Sequence, residues 1–298
     1  MKVAVCRYAV GKPSGFDEFA TRQRQLLAQA AAQGAQVAVL PEYLALELAA
    51  TFPEEVYSDL HASLAAIQPL RGAWNELFAA LARDTGMHVV AGSFLLRLPS
   101  GHYRNRSDLF APDGGHHWQD KLQLTGFEKA SGVIEAGDAL KVAALDGIRA
   151  GISICYDSEF PLPVRAQYEA GARLLLVPSC TDTAAGATRV QVGCLARALE
   201  NRIFVAQAVT AGQAPWSPAL DENTGQATVY APMDVGFPAD GVLARTRDDE
   251  TWSVTELDFG QLEAGRAGAQ VANDRDWPGQ LAPALSRARL ASYQAVGD

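Results

Sequence analysis

Three residues of reactive type stand where apolar runs of the sequence end. Glu42 follows a proline at the close of VAVLPEY. Lys121 follows HHWQD, in a stretch that then turns apolar, and Cys155 ends IRAGISIC ahead of the acidic, aromatic YDSEFP. The carboxyl end of a strand is where loops open onto a crevice, so side chains at such positions can be held over a pocket. Taken singly, each has a plain structural explanation: a solvated turn carboxylate, an exposed strand-end lysine, a core thiol. Together they form a chemical set. A thiol is mostly protonated at neutral pH, and a nucleophilic cysteine needs a base to take its proton or a positive charge to lower its pKa. A glutamate can supply the first and a lysine the second. The ammonium can also donate to the oxyanion of a tetrahedral intermediate in an apolar pocket.

Composition narrows what such a site would act on. The chain has 298 residues, 48% hydrophobic and 20% charged, enough for a large core in one domain or two. No apolar run reaches the roughly 18 residues of a membrane span, and MKVAVCRYAV meets Gly11 and Lys12 before it is long enough for a secretion signal. A cytoplasmic protein with no membrane partner is expected. With 25 basic against 34 acidic residues, a net charge of −9 and a pI near 5.1, no nucleic-acid partner is expected either. The partner is expected to be a small molecule. Cysteines 6, 155, 180 and 194 form no CxxC pair and read as free thiols. Of these, Cys6, Cys180 and Cys194 read as structural. His102, His116 and His117 are the one grouping that suggests a metal, but neighbouring strand residues face opposite ways and no Cys or carboxylate cluster completes the set. No metal and no cofactor are expected.

The elements that must position the three residues can be read from periodicity. A strand at Val3 to Cys6 precedes a helix ending at Gly34, then the strand of VAVLPEY. One helical region runs from about Pro53 to Thr85, followed by a strand in MHVVAGSFLL. HYRNRSDLF and HHWQD form a hairpin across Pro-Asp-Gly, and LKVAAL and IRAGISIC form another across Asp-Gly, the latter reaching Cys155. Helix, strand, helix and strand follow from Val164 to Val209. Strands at QATVYAP, GVLARTR and TWSVTELD complete an α/β pattern of mixed sheet with helices outside. Residues 259–298, rich in Ala, Arg and Gly, read as a C-terminal extension packing on the domain of residues 1–258 or on an oligomer partner.

VAVLPEY, WQDKLQL and GISICYDSEFP, in that order, resemble the Glu, Lys and Cys signature segments of the nitrilase superfamily of carbon-nitrogen hydrolases. LLLVPSCTD resembles the strand and loop that follow the nucleophile. ARALENRIFVAQA resembles the superfamily's helix-to-strand passage, with Arg197, Glu200 and Asn201 in its pattern. The resemblance covers residues 2 to about 258. It implies a four-layer α-β-β-α sandwich of two mixed sheets flanked by helices, an amidase-like activity without cofactor, and a homodimer or higher homo-oligomer paired near Val164 to Ala170 or through the tail. It implies Cys155 as nucleophile, Glu42 as general base and Lys121 as oxyanion stabiliser, with the Tyr156 N–H as second donor. Members commonly carry a second glutamate after the lysine; Glu128 and Glu135 are the candidates, Glu128 being preferred. Two segments depart from the pattern. Leu122, Gln123 and Leu124 replace a His-Leu-Phe stretch, and Glu159 stands where many members have an arginine. Both segments bear on the substrate rather than on the triad.

The expected reaction is cleavage of a small amide or N-carbamoyl compound through a thioester, releasing ammonia or an amine. A soluble acyl or amide transferase would use the same thioester with an amine acceptor. A nitrile hydrolase is disfavoured because Tyr156 and Asp157 follow the cysteine where nitrilases typically have Trp-Glu. A binding protein without catalysis would have little reason to keep all three reactive types at their motif positions.

Overall fold

Successive side chains of a strand face opposite sides, and in KVAVCRYA both sides are apolar. In the computed structural model, which describes residues 1–288 and 290, this segment is strand β1 (Lys2–Ala9), buried on both faces. Val3 and Val5 enter one hydrophobic cluster, while Ala4, Cys6 and Tyr8 enter another. A strand covered on both sides belongs inside a layered α/β fold. β1 is also shared between two sheets. Val3–Val5 pair in parallel with β2 (Val37–Val39), and Arg7–Ala9 pair in parallel with Val209–Ala211, so one long curled sheet folds into two layers.

The first half of the chain builds one sheet and its helices. Around β2 lie α1 (Phe16–Ala32), α2 (Glu54–Tyr57), α3 (Leu60–Ile67) and α4 (Arg71–Thr85). Strands β3 (His88–Val90), β4 (Phe94–Arg97), β5 (Tyr103–Phe110) and β6 (His116–Asp120) follow. β3 runs parallel to β2. It and β4 pair antiparallel along one edge of β5, and β6 pairs along the other. α1 and α4 cover the outer face, where the Phe19 and Trp74 rings stack 5.7 Å apart. The single helical region expected from Pro53 to Thr85 is instead three helices. Asp59 starts a new one by accepting the Ala62 N–H at 2.7 Å, and Pro69, lacking an N–H, cannot carry the α-helical ladder from α3 into α4. A 3-10 segment over Leu44–Thr51 has no counterpart in the sequence reading.

The second half builds the facing sheet. α5 (Gly126–Ala130) leads to the hairpin of β7 (Val142–Leu145) and β8 (Ile148–Ile152). Next come α6 (Pro161–Glu169), β9 (Leu174–Ser179), α7 (Ala184–Asn201), β10 (Phe204–Gln213), the short β11 (Glu222–Asn223), β12 (Thr228–Tyr230), β13 (Val242–Arg245) and β14 (Trp252–Glu256). β8, β9 and β10 are parallel, and β12 pairs antiparallel with both β10 and β13. The β7–β8 turn has Asp146 at φ +48° and Gly147 at φ +87°, the left-handed pair that two-residue hairpins require. Ile152, Leu174, Leu176 and Ala206 meet Val3, Val5, Val37, Val39 and Val90 of the first sheet. Leu175 and Val177 face the other way, under α6 and α7, with Val164, Val190, Cys194 and Ala198. Each fully buried Val, Leu or Ile among these stabilises the fold by roughly 1.5–3 kcal/mol. The order from outside to outside is therefore helix, sheet, sheet, helix, the four-layer sandwich expected.

β14 returns to β1, pairing antiparallel with Lys2–Cys6. α8 (Phe259–Ala267) buries Leu262 in the second cluster. α9 (Asn273–Asp276) is tied to α6: Arg165 donates to the Asp274 carbonyl at 2.9 Å and the Tyr168 hydroxyl to its carboxylate at 3.0 Å. Residues 289 and 291–298 of the expected extension lie outside the described residues. Among the described residues no helix is long and apolar enough to cross a membrane.

Candidate active site

Glu42 is aimed by the chain reversal that ends β2. Leu40 still donates to the Val90 carbonyl (3.0 Å), but Tyr43 takes a left-handed conformation at φ +61° and its N–H turns to the Ser93 hydroxyl at 2.8 Å. This turn presses on the link between β3 and β4. A Cβ on Gly92 would collide with the Pro41 carbonyl oxygen, so only glycine fits there. Lys121 lies just past β6 with its N–H on the Asn105 carbonyl at 2.9 Å, and its ammonium reaches Glu42. Cys155 lies three residues beyond β8 rather than at its end. It opens a 3-10 turn, Cys155–Glu159, at φ +48°. A left-handed non-glycine residue costs of order 1–3 kcal/mol and is held only by well-anchored surroundings. Ser158 supplies one anchor by donating to the Cys155 carbonyl at 2.7 Å. α7 supplies another, because Gly193 lets it press so close that a Cβ there would lie 2.9 Å from the Ser158 carbonyl oxygen.

These elements bring all three residues into one buried cluster. The Lys121 ammonium sits 2.8 Å from Glu42 Oε1 and 2.9 Å from Glu128 Oε2, and none of the three side chains is more than 1% exposed. Glu42 Oε1 also accepts from Asn105 Nδ2 at 2.8 Å, while Oε2 accepts the Cys180 N–H at 3.1 Å. The Cys155 thiol donates to the Cys180 carbonyl oxygen at 3.4 Å, and lies close enough to Glu42 for the carboxylate's charge to act on it. Glu128 Oε1 accepts from the Tyr43 hydroxyl at 2.8 Å and Asn105 Nδ2 at 3.2 Å, and Oε2 accepts the Thr125 N–H at 2.9 Å. Glu128 is thus both the third residue of α5's capping box and a partner of the lysine. Glu135 lies elsewhere, paired with Arg104 at 3.0 Å and one-third exposed.

A family model described as "Carbon-nitrogen hydrolase" matches residues 2–266. The chain is 30% identical to "Probable hydrolase YhcX" of Bacillus subtilis (strain 168) over 93% of its own length and 53% of that protein's, so it spans about half the length of this relative. It is 26% identical to "Omega-amidase NIT2-A" of Xenopus laevis, over 85% of this chain and 88% of that one. The crystal structure of Saccharomyces cerevisiae Nit3, a member of branch 10 of the nitrilase superfamily, matches with a TM-score of 0.72 at 19% identity, over 92% of this chain and 96% of that one. The chain belongs to the carbon-nitrogen hydrolase family. The match runs into α8 as far as residue 266, and the class of chemistry is hydrolysis of carbon-nitrogen bonds other than peptide bonds.

Electrostatics set the hydrolase's resting protonation. Burial alone would strip the charge from Lys121, but the Glu42 and Glu128 carboxylates outweigh it and hold the ammonium well above its usual pKa. Burial pushes Glu42 up, with Lys121 opposing and Glu128 adding to the rise. Glu128 is held below its usual range because Lys121 and the Thr125 N–H outweigh its burial. Burial, then the Glu42 charge, push the Cys155 thiol well above its usual value. At rest the cysteine therefore carries its proton.

The cluster floors a cavity of about 280 Å³ that Tyr156 and Glu159 also line. Tyr156 packs edge-on against Phe160 at 4.9 Å. The three histidines lie apart from it: His116 is on Asp108 at 3.0 Å, His117 is held low by burial, and His102 is half exposed near Glu135. Among the described residues no group of three or more His, Cys, Asp or Glu is arranged to hold a metal.

Asn105 and Tyr43 are absent from the sequence reading, Asp157 enters it only as a mark against a nitrile hydrolase, and Cys180 is read there as structural. Cys180 in fact lines the cavity, and its main chain touches both Glu42 and Cys155. The signal for Asn105 is the alternation RNRS in β5, where the arginines face outward and Asn105 and Ser107 are buried. Asp157 ties two signature segments together. Its carboxylate accepts the N–H groups of Leu122 (3.1 Å), Gln123 (2.6 Å) and Ile154 (3.2 Å), so the post-lysine loop is pinned to the cysteine turn. Burial raises its pKa to about 7, with Lys121 and these N–H groups opposing. A folded pKa above the unfolded 3.8 means the native state binds this proton more tightly, so stability from this group falls as pH rises from 3.8 to about 7. Asp157→Asn puts an NH2 among three donors; a stability loss of about 1–3 kcal/mol is expected. Denaturant titrations of both proteins at pH 5 and pH 8 check this, and equal midpoints at both pH values would remove Asp157 as the pin.

Proposed function

We propose that the hydrolase cleaves a small amide or N-carbamoyl compound through a Cys155 thioester. Glu42 takes the thiol proton as sulfur attacks the carbonyl carbon. The oxyanion forms against Lys121: two N–H groups of its ammonium face Glu42 and Glu128, which leaves the third for substrate. The Tyr156 N–H is the second donor, since the first amides of a helical turn have no acceptor within it. Glu42 returns the proton to the leaving nitrogen, the C–N bond breaks, and ammonia or an amine departs. Glu42 then deprotonates a water that attacks the thioester, and collapse releases the acid and restores the thiol. Water enters, amine and acid leave, and no other reactant is needed.

The observation that carries this reading is the meeting of the Cys155 thiol, the Glu42 carboxyl group and the doubly paired Lys121 ammonium in the lining of one cavity. Glu42→Gln tests it. With the base removed, alkylation of Cys155 by iodoacetamide, read by peptide mass spectrometry to separate it from Cys180, is expected to slow at least about tenfold, and amide turnover to fall by about 10²–10⁴. An alkylation rate equal to that of the unaltered protein would remove Glu42 as the base.

A further inference from the structure

The cavity mouth is charged in one sense. Glu159, Asp182, Asp221 and Glu222 line it, and Arg189 is the one guanidinium among the lining residues, so four carboxylates stand against one cation. Glu159 is the innermost of the four by exposure, its side chain 22% accessible, whereas Asp182, Asp221 and Glu222 are exposed. Its position is fixed, because the 155–159 turn rests on α7 where Gly193 allows close approach. Its neighbour Arg189, 63% exposed, comes only to 3.9 Å. Among the described residues Glu159 accepts no hydrogen bond. A pair at that distance at the surface is weak, so most of the carboxylate's demand for a cation is unmet. Burial raises the Glu159 pKa, with Arg189 opposing, as for a carboxylate short of partners. A second observation points the same way. The Phe127 ring, 43% exposed, and the Tyr156 ring line the cavity, and aromatic faces attract cations and the methylene stems that carry them.

Resting on the amide reading of the Cys155 site, we propose that the hydrolase selects amides carrying a positive charge, an ammonium or guanidinium, away from the scissile bond, and that Glu159 is the residue that reads this charge. The reacting amide lies over Cys155 and Lys121, an aliphatic stem runs along Val190, Ala219 and Phe127, and the cation meets Glu159. The remaining rim carboxylates attract cations from solution and repel anions.

Three amides of matched length separate the charge states: 6-aminohexanamide, hexanamide and adipic acid monoamide. Ammonia release is expected with kcat/KM for the cationic amide on the order of tenfold above the neutral one, a further drop for the anionic one, and a ratio that narrows as salt rises. In Glu159→Gln the cation-to-neutral ratio should collapse severalfold, mostly through KM. A role confined to holding the turn would instead lower kcat for all three. Protection of Cys155 from iodoacetamide by the same compounds reads the preference without turnover, and the cationic amide should protect at the lowest concentration. Equal or anion-favouring ratios in turnover, or in protection where none of the three is turned over, would overturn the proposal, and an unchanged ratio in Glu159→Gln would overturn the assignment to that residue. Failure of the amide reading itself looks different. No amide of any charge, acetamide included, would then be hydrolysed in a Cys155-dependent way.

Discussion

Replacing Cys155 by alanine is expected to lower amide hydrolysis by about 10⁴-fold or more while leaving the fold in place, since loss of a covalent nucleophile removes the whole two-step route and not one interaction within it. The thiol is small and 4% exposed, so its removal leaves a minor void. The backbone at φ +48° is as demanding for alanine as for cysteine, and the anchors at Ser158 and Gly193 do not involve the sulfur. The melting temperature should therefore move by only a few degrees. Cys180 cannot substitute. It lines the same cavity, but its sulfur sits 3.4 Å from Asn223 Oδ1, and what it turns towards Glu42 is its main-chain N–H. Burial and the Glu42 charge also push its thiol up, to about 12. Purified Cys155→Ala assayed for ammonia against the unaltered protein, with circular dichroism and a melting curve on both, decides the matter. Turnover above about 1% in a folded variant would exclude Cys155 as the nucleophile.

How far the site could be read in advance depended on whether a residue's role is local. Glu42, Lys121 and Cys155 each sit at or just past a strand end, and strand ends are written in short apolar runs. Glu128 was legible twice over, because Thr125 three residues before it writes a capping box in the sequence. Asn105 was legible only as a buried position in the RNRS alternation, since its role depends on β5 lying beside β6 in one particular register, and no local pattern states which strands pair. The place of Cys180 was hidden for a different reason: what meets Glu42 is its peptide group, and a side-chain type says nothing about where an N–H points. The layers were legible because β1 and β2 are apolar on both faces and the later strands alternate with helices. The division of 53–85 into three helices was not, because the capping hydrogen bond at Asp59 competes with a helical periodicity that runs straight through it.

Lys121→Met is expected to have the largest combined effect on stability and activity. One ammonium separates two carboxylates that also share the Asn105 amide, and all of these groups are buried. Methionine matches the lysine in length and apolar stem, so packing changes little and the charge is the variable. Without it, Glu42 and Glu128 face each other in a dry site, and removing one partner of such a buried cluster costs about 3–5 kcal/mol. That is a large share of the roughly 5–15 kcal/mol by which domains are stable. The variant has one relief, which is to bind a proton between the two carboxylates. Their folded pKa values then rise above the unfolded 4.5. The sign follows from linkage: a raised folded pKa on an acid makes stability fall as pH rises above the unfolded value, so the deficit relative to the unaltered protein should be small near pH 5 and widest near pH 8. Adding Glu128→Gln should recover most of the loss at pH 8, because it removes the repulsion that the lysine had screened. Activity should not return with it. The oxyanion donor is still missing, which alone costs about 10²–10³ in kcat. Urea denaturation of the single and double variants at both pH values, with ammonia release measured in parallel, separates the two roles. A single variant as stable as the unaltered protein at pH 8 would mean that Glu42 and Glu128 are not both ionised in the native site, and the proton inventory on which the thioester mechanism depends would have to be redrawn.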